Sequence, residues 1–310
     1  MTSYLGSYSS GKSSVSAIIR ETIGLYHKYS GNSSKLAERT IRDARRTERV
    51  VAERLGLEIR GLDILEIGPG QMQGQLIYFS ILNRVVGIDL EVLVRGFRPL
   101  DYMRMVKANG SRRALKTIGR KLLGFDRSFA CELRRQLNQD RLPNPKVLQM
   151  DAANMTFPEG SFDFVYSRAV FHHLTNPGAA IDSIVRVLKP GGGCYVSLHL
   201  YTSETGCLDP RVYSEKWNEV RGWPHLRPRL PHFVERQGIF VNKTRLDEWR
   251  ALFTAKMPDA QFILTQSENA NVEAAVELHN RGELLEYSLE ELLTGDFTVV
   301  WQKPRDSNTR

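Results

Sequence analysis

Residues 62–75 read LDILEIGPGQMQGQ, an apolar run that ends in Glu66, Gly68 and Gly70 before the polarity pattern turns helical. The first half fits a buried strand. At such a turn glycines let the backbone approach a ligand closely. A carboxylate at the strand's C-terminal end faces the crevice where open α/β sheets bind ligands. A glycine pair after a strand is equally compatible with a dinucleotide site and with a tight turn.

Two further acids sharpen the reading. Asp89 closes the run VVGID, nineteen residues after Gly70, where an acidic side chain can hydrogen-bond both hydroxyls of a ribose. Asp151 follows the next apolar run in LQMDAANMTFPEGSFDFVYSRAVFHHL, residues 148–174, where it can accept from an exocyclic amine such as that of adenine. Three acids at the ends of successive strands converge on one edge of a sheet, a stronger signal than any of them alone.

Strands are expected at 62–67, 85–89, 147–150, 162–167, 194–200, 261–265 and 297–302, alternating with helical patterns, and RVLKPGGG at 186–193 reads as a helix end broken by Pro190 and glycines. This alternation predicts an α/β fold, a Rossmann-like, seven-stranded, mostly parallel sheet with helices on both faces. Residues 1–58 form a Ser- and Gly-rich tail and a helical extension, with helical patterns at 15–29 and 34–57. Residues 59–304 form the main domain, with a basic helical insertion at 90–146 and a loop or lid at 201–242, and 305–310 form a tail.

EIGPG with Asp89, then DAANMTFPEGSFDFVYSRAVFHHL, then DSIVRVLKPGGGCYVSLHL resembles the class I S-adenosylmethionine-dependent methyltransferases, in particular their small-molecule and lipid branch. The resemblance covers residues 62–200 apart from the basic segment, and more loosely 244–303. It implies that Glu66, Gly68 and Gly70 hold the methionine moiety of S-adenosyl-L-methionine, Asp89 the ribose, and Asp151 with Ala152 the adenine, with Ser167 beside the cofactor. Met72 stands where many members carry a third glycine. GPGQMQ lacks the GxGxxG spacing that brings a pyrophosphate to a helix N-terminus, which argues against a dehydrogenase.

Methyl transfer from a sulfonium needs orientation and exclusion of water more than catalytic side chains. An acceptor hydroxyl does need a base, and His172, His173 and His199 follow strands four and five. One of such a pair can equally be a packing histidine bonded to backbone. His225 and His232 lie in the loop, where solvated positions are the plainer reading. The expected activity is O-methylation of a small-molecule, lipid-linked or glycan acceptor. An RNA methyltransferase and a noncatalytic S-adenosylmethionine-binding module are the alternatives.

The 310 residues, 41% hydrophobic and 25% charged, are those of an ordinary globular chain. With no long apolar run and no signal-peptide core, a cytoplasmic protein is expected, with peripheral contact to the inner face of a membrane as an option. Cys131, Cys194 and Cys207 lack metal-site spacing and read as reduced packing residues, and no metal cluster is visible.

The net charge of +8 is concentrated. From Arg95 to Lys146, fourteen Lys and Arg meet four Asp and Glu, a net of +10. Within SRRALKTIGRKLLG, residues 111–124, Leu115, Ile118 and Leu122 recur at i, i+3 and i+7, while Arg112, Arg113, Lys116, Arg120 and Lys121 project elsewhere. The expected element is a basic amphipathic helix. Its polar face is either solvated or turned to an anionic membrane surface, a phosphorylated or carboxylated acceptor, or RNA. Nucleic acid is the least favoured partner, because aromatics for base stacking are sparse there.

Overall fold

The computed structural model describes residues 32–206, 222–227, 240–267 and 270–305. The helical pattern at 15–29, Cys207, His232, the C-terminal tail and most of the 201–242 segment lie outside the described residues. The chain runs α1 (Ser33–Leu55), β1 (Asp63–Ile67), α2 (Gly74–Phe79), β2 (Arg84–Asp89), α3 (Pro99–Asn109), α4 (Ser111–Leu122), α5 (Phe125–Gln136), β3 (Lys146–Gln149), β4 (Phe162–Arg168), α6 (Pro177–Val187), β5 (Leu188–His199), α7 (Leu246–Thr254), β6 (Gln261–Gln266), α8 (Val272–Asn280), α9 (Leu289–Leu293) and β7 (Thr294–Gln302).

The strands form one sheet in the order β3-β2-β1-β4-β5-β7-β6. Strands β1 to β5 are mutually parallel, and β7 is antiparallel to both β5 and β6. This is the seven-stranded, mostly parallel sheet read from the alternating apolar runs. The order reverses at β1, which pairs β2 on one side and β4 on the other. Connections therefore leave β1 and β4 in opposite directions, and a crevice opens at their C-terminal ends.

Both faces of the sheet are covered, as strands without polar alternation require. On one face Leu65, Ile67, Val165 and Val196 pack with Ile181 and Ile184 of α6 and Trp249 and Phe253 of α7. On the other, Ile64, Phe164 and Tyr166 pack with Ala44 and Val51 of α1 and Leu76 and Phe79 of α2. Helix α1 buries Ala37, Ile41, Ala44 and Val51, a helical stripe, and ends at Gly56, whose left-handed backbone donates to the Ala52 carbonyl. Its buried Thr40 and Thr47 hydroxyls donate to carbonyls one turn back, at 2.9 and 3.1 Å.

Strand β5 starts earlier than its sequence suggests. KPGGG is its first section rather than a loop after a helix, because Leu188 pairs with Phe162 and the amides of Gly191 and Lys303 exchange bonds with the neighbouring backbone at 2.9 and 2.8 Å. The register shift between Phe162 and Phe164 absorbs the extra residues. Cys194 lies in the core, and burial pushes its thiol up to about 12. Cys131 is exposed, so the packing reading of that residue is corrected. Among the described residues no helix is long and apolar enough to cross a membrane.

The basic insertion folds as α3, α4 and α5, and here the amphipathic reading is inverted. Helix α4 turns Ala114 and Thr117 inward, while Leu115 and Leu122 are 51% and 73% exposed. The charges expected on the outside point in. Arg113 pairs with Glu91 at 2.7 Å, Arg120 with Asp126 at 2.7 Å, and Lys121, its side chain only 4% exposed, with Asp126 at 3.3 Å. The physical reason is acid placement: Glu91 and Asp126 lie on the inner side, and sheltered carboxylates must be paired.

Stability should therefore follow charge rather than apolarity in this helix. Lys121→Gln is expected to destabilise the fold by about 1–3 kcal/mol, since it removes a sheltered ammonium that bonds both Asp126 and the Arg95 carbonyl. Leu122→Ser should stay within about 0.5 kcal/mol of the parent, as exposed substitutions do. Chemical denaturation of both variants checks this, and the reverse ranking would restore the apolar stripe as the packing face.

Candidate functional site

Glu66 is the penultimate residue of β1, and cross-strand pairing sets it opposite Tyr166 of β4. Its side chain is buried, 4% exposed, and Oε2 has no hydrogen-bond partner within the protein. Burial raises the carboxyl from its usual 4.5 to about 8. The Tyr166 hydroxyl is also buried without a partner, and burial, reinforced by the Glu66 charge, holds it well above the ordinary phenol range. A third such atom is Oε1 of Gln73, the left-handed residue that precedes α2. Buried polar atoms are ordinarily paired, and exceptions at a strand end are candidate places for a ligand to supply the missing bonds. Two of the three are acceptors, which suits a donor such as an ammonium group.

The loop after β1 is held open by glycine. Gly68 has φ +69°, and a Cβ there would lie 2.3 Å from Val170 Cγ2. Its amide donates to the Ile88 carbonyl at 2.8 Å, tying the loop to the end of β2. Gly70 has φ +63° but faces open space, so its backbone conformation rather than crowding calls for glycine. Met72, at the position of the third glycine, packs against the cluster between α1 and α5.

Asp89 ends β2 beside this loop. Its Oδ1 accepts from the Glu91 amide at 2.9 Å, and the Gly70 amide is also aimed at the carboxylate. Burial dominates and raises its pKa to about 6, with these amides opposing. Asp151, just past β3, is exposed and caps the short 3-10 helix Ala152–Asn154 by accepting from Ala153 at 2.8 Å. Ala152 packs its side chain into the core, so only its backbone is left to face a ligand. Ser167, fully buried in β4, donates to the Ile67 carbonyl at 3.3 Å and joins β4 to β1 where their ends diverge.

Val170, the residue against Gly68, leads into the 3-10 helix Phe171–His173, so the histidine turn adjoins the glycine loop. The rings of His172 and His173 lie 4.1 Å apart, and those of His172 and His199 5.3 Å apart. The three are not equivalent. His172 is 3% exposed, burial holds its pKa well below the usual range, and its Nδ1 accepts the His199 amide at 3.3 Å. That bond places its one proton on Nε2. His173 Nδ1 lies 2.7 Å from the Phe240 carbonyl and must donate to it, which leaves Nε2 as the basic nitrogen. Burial, above all, also lowers this pKa.

His199, the last residue of β5, holds Asp296 Oδ1 2.5 Å from its Nδ1. The two are directly opposed in the antiparallel β5–β7 ladder. Burial pushes the Asp296 carboxyl up, but the His199 bond and charge, with Arg168 and Arg46, outweigh it and leave the pKa lowered. Asp296 is thus an anion that orients the His199 ring through Nδ1 and leaves Nε2 as the nitrogen turned away from the pair. His225, expected as a solvated loop position, is instead 9% exposed and bonded through Nε2 to the Tyr201 carbonyl at 2.7 Å. Among the described residues no three His, Cys, Asp or Glu side chains gather as a metal site.

Gln73, Tyr166 and Asp296 were missed by the sequence reading. Tyr166 and Asp296 become visible only through cross-strand register, and Gln73 is hidden in a loop read for its glycines.

Residues 108–196, which include Asp151 but neither the EIGPG motif nor Asp89, match the model of a methyltransferase domain, in keeping with the family resemblance. An uncharacterized methyltransferase of Bacillus subtilis is 30% identical over 112 residues, 36% of this chain and 37% of that protein. A ubiquinone/menaquinone biosynthesis C-methyltransferase of Coxiella burnetii is 30% identical over 133 residues, 42% of this chain and 50% of that one. The chain thus spans half or less of the length of these relatives. Among solved structures, a phosphoethanolamine N-methyltransferase of Haemonchus contortus in complex with S-adenosyl-L-methionine is 16% identical, with TM-score 0.42, covering 84% of this chain and 53% of that one.

The buried Glu66 carboxyl has a measurable signature. Between about 4.5 and about 8 the folded chain keeps a proton that the unfolded chain has lost, so stability falls as pH rises through this window. Glu66→Gln is expected to be more stable than the parent above pH 8, with the gain fading toward pH 5. Urea denaturation across that range checks it, and parallel curves would mean that Glu66 is not desolvated.

Proposed function

We propose that this chain, whose residues 108–196 match the model of a methyltransferase domain, transfers the methyl group of S-adenosyl-L-methionine to a hydroxyl of a small-molecule, lipid-linked or glycan acceptor. The observation that carries the cofactor half is the unpartnered Glu66 Oε2, buried at the end of β1 beside the glycine loop. An amino-acid ammonium would give that atom its missing bond and hold the carboxylate charged. The cofactor, when bound, supplies a methyl carbon already activated by its sulfonium.

The residues divide the remaining tasks. Glu66, with Tyr166 beside it, holds the cationic end of the methionine moiety, and Gly68 and Gly70 let the backbone close on it. Asp89, one strand over, takes the ribose hydroxyls. Asp151 and the Ala152 backbone, one strand further, take the adenine edge. Ser167 holds β4 against β1 beneath them.

An acceptor hydroxyl must lose its proton as the new bond forms. His199 Nε2 accepts it, and Asp296 stabilises the imidazolium that results, as a carboxylate does for any histidine base. His173, oriented by Phe240, is the neighbouring alternative, whereas His172 packs beneath both. The Coxiella relative is a C-methyltransferase, so the acceptor atom is decided by product rather than by likeness.

Calorimetry should find one S-adenosyl-L-methionine site per chain and none for NAD. Asp89→Ala should weaken it by a factor of about ten or more, as loss of a buried, charge-assisted bond pair does. Binding to Glu66 should release protons below pH 8, seen as heats that vary with buffer ionisation enthalpy. NAD binding without the methyl donor would sink the assignment.

For turnover, mass spectrometry with deuterated-methyl cofactor identifies product and position together. Asp296→Asn is expected to lower kcat on a hydroxyl acceptor by about 10²–10⁴-fold and to shift its pH profile, with cofactor affinity unchanged. Label on carbon or nitrogen would remove the O-methyl reading. Binding without transfer across an acceptor screen would favour a noncatalytic module.

A further inference from the structure

The α3–α4 hairpin presents an apolar surface that no part of the described chain covers. Phe97, Leu100 and Met103 are 64%, 68% and 67% exposed, and Leu115 and Leu122 are 51% and 73% exposed. A shallow groove of about 650 Å³ runs between Phe97, Met103, Val106, Ile118 and Leu122. Soluble surfaces scatter single exposed apolar residues, but a contiguous group of this kind marks an interaction site.

Charge identifies the partner. Arg98, Arg104 and Lys107 are exposed along the same hairpin, and Lys107 borders the groove itself. Leu100, Met103, Arg104 and Lys107 recur at i, i+3, i+4 and i+7, so cationic and apolar side chains share one helical face. Between Phe97 and Leu123 Asp101 is the sole acid. A second copy of this face would bring like charges together, and a purely apolar ligand would leave the cations unused. A bilayer with anionic headgroups answers both, because apolar side chains enter the headgroup boundary while Lys and Arg stems reach back to the phosphates.

We propose that the outer face of the α3–α4 hairpin docks on an anionic lipid bilayer, with Leu100, Met103 and Leu122 entering the interface and Arg98, Arg104 and Lys107 meeting the headgroups. The hairpin's inner face is fastened to the strand-end edge, through Arg113 to Glu91 at 2.7 Å and Arg120 to Gln71 at 3.4 Å. Docking therefore sets that edge about one helix diameter, ~10 Å, from the membrane surface, within reach of a lipid-linked acceptor. The docking itself does not depend on methyl transfer.

Cosedimentation of the full chain with phosphatidylglycerol/phosphatidylcholine vesicles, against phosphatidylcholine alone, tests the proposal. The parent should bind the anionic vesicles and leave them as salt rises. A combined Leu100→Gln, Met103→Gln and Leu122→Gln variant, its folding verified by thermal melting, should bind about tenfold more weakly or less. A combined Arg98→Gln, Arg104→Gln and Lys107→Gln variant should lose the preference for anionic lipid and the salt dependence together. Absence of binding at low salt, or full binding by the apolar variant, overturns the proposal. So does a parent dimer that ignores vesicles and falls apart in the apolar variant, which would assign the face to a second copy.

Discussion

Strand β1 hydrogen-bonds to β2 along one edge and to β4 along the other, both in parallel. A parallel neighbour requires a crossover, and right-handed crossovers on opposite sides of β1 send the chain to opposite faces of the sheet. The C-terminal ends of β1 and β4 consequently have no loop bridging them. Everything at the candidate site depends on that gap. Glu66 is buried at its floor, Gly68 lies against Val170 across it, and the histidine turn follows directly from Val170. Ser167 closes the floor by bonding the last carbonyl of β1.

Several buried polar atoms of the described residues keep no hydrogen-bond partner, and three of them, on Glu66, Gln73 and Tyr166, lie on β1, the loop that follows it and β4. Such groups lower the stability of the free protein, and the cost is recovered only when a ligand supplies the bonds. Asp296 and His199 show the opposite arrangement, a pair satisfied within the protein that fixes the orientation of the imidazole.

The insertion between β2 and β3 shows how acids govern the orientation of a basic helix. Glu91 and Asp126 draw Arg113, Arg120 and Lys121 inward, and the rotation this imposes on α4 carries Leu115 and Leu122 to the surface. Arg120 also donates a hydrogen bond to Gln71 and so ties the hairpin to the glycine loop. An apolar outer face and a firm attachment beside the site thus arise from one arrangement of charge.

The sequence by itself determined the architecture and the positions of the strand-end acids. Apolar runs without alternation demand two covered faces, and Glu66, Asp89 and Asp151 end their runs in any α/β reading, because these are local properties of period and polarity. The early start of β5, with KPGGG in the ladder, was not legible because it depends on pairing with Phe162 and Lys303. Asp296 could not be matched to His199 because antiparallel register joins residues 97 positions apart. Helical periodicity in 111–124 identified a stripe but not its direction, since a charge is cheaper inside than out only where a partner of opposite sign already lies inside. Tertiary structure alone supplied those partners, and with them decided which face of the helix meets the solvent.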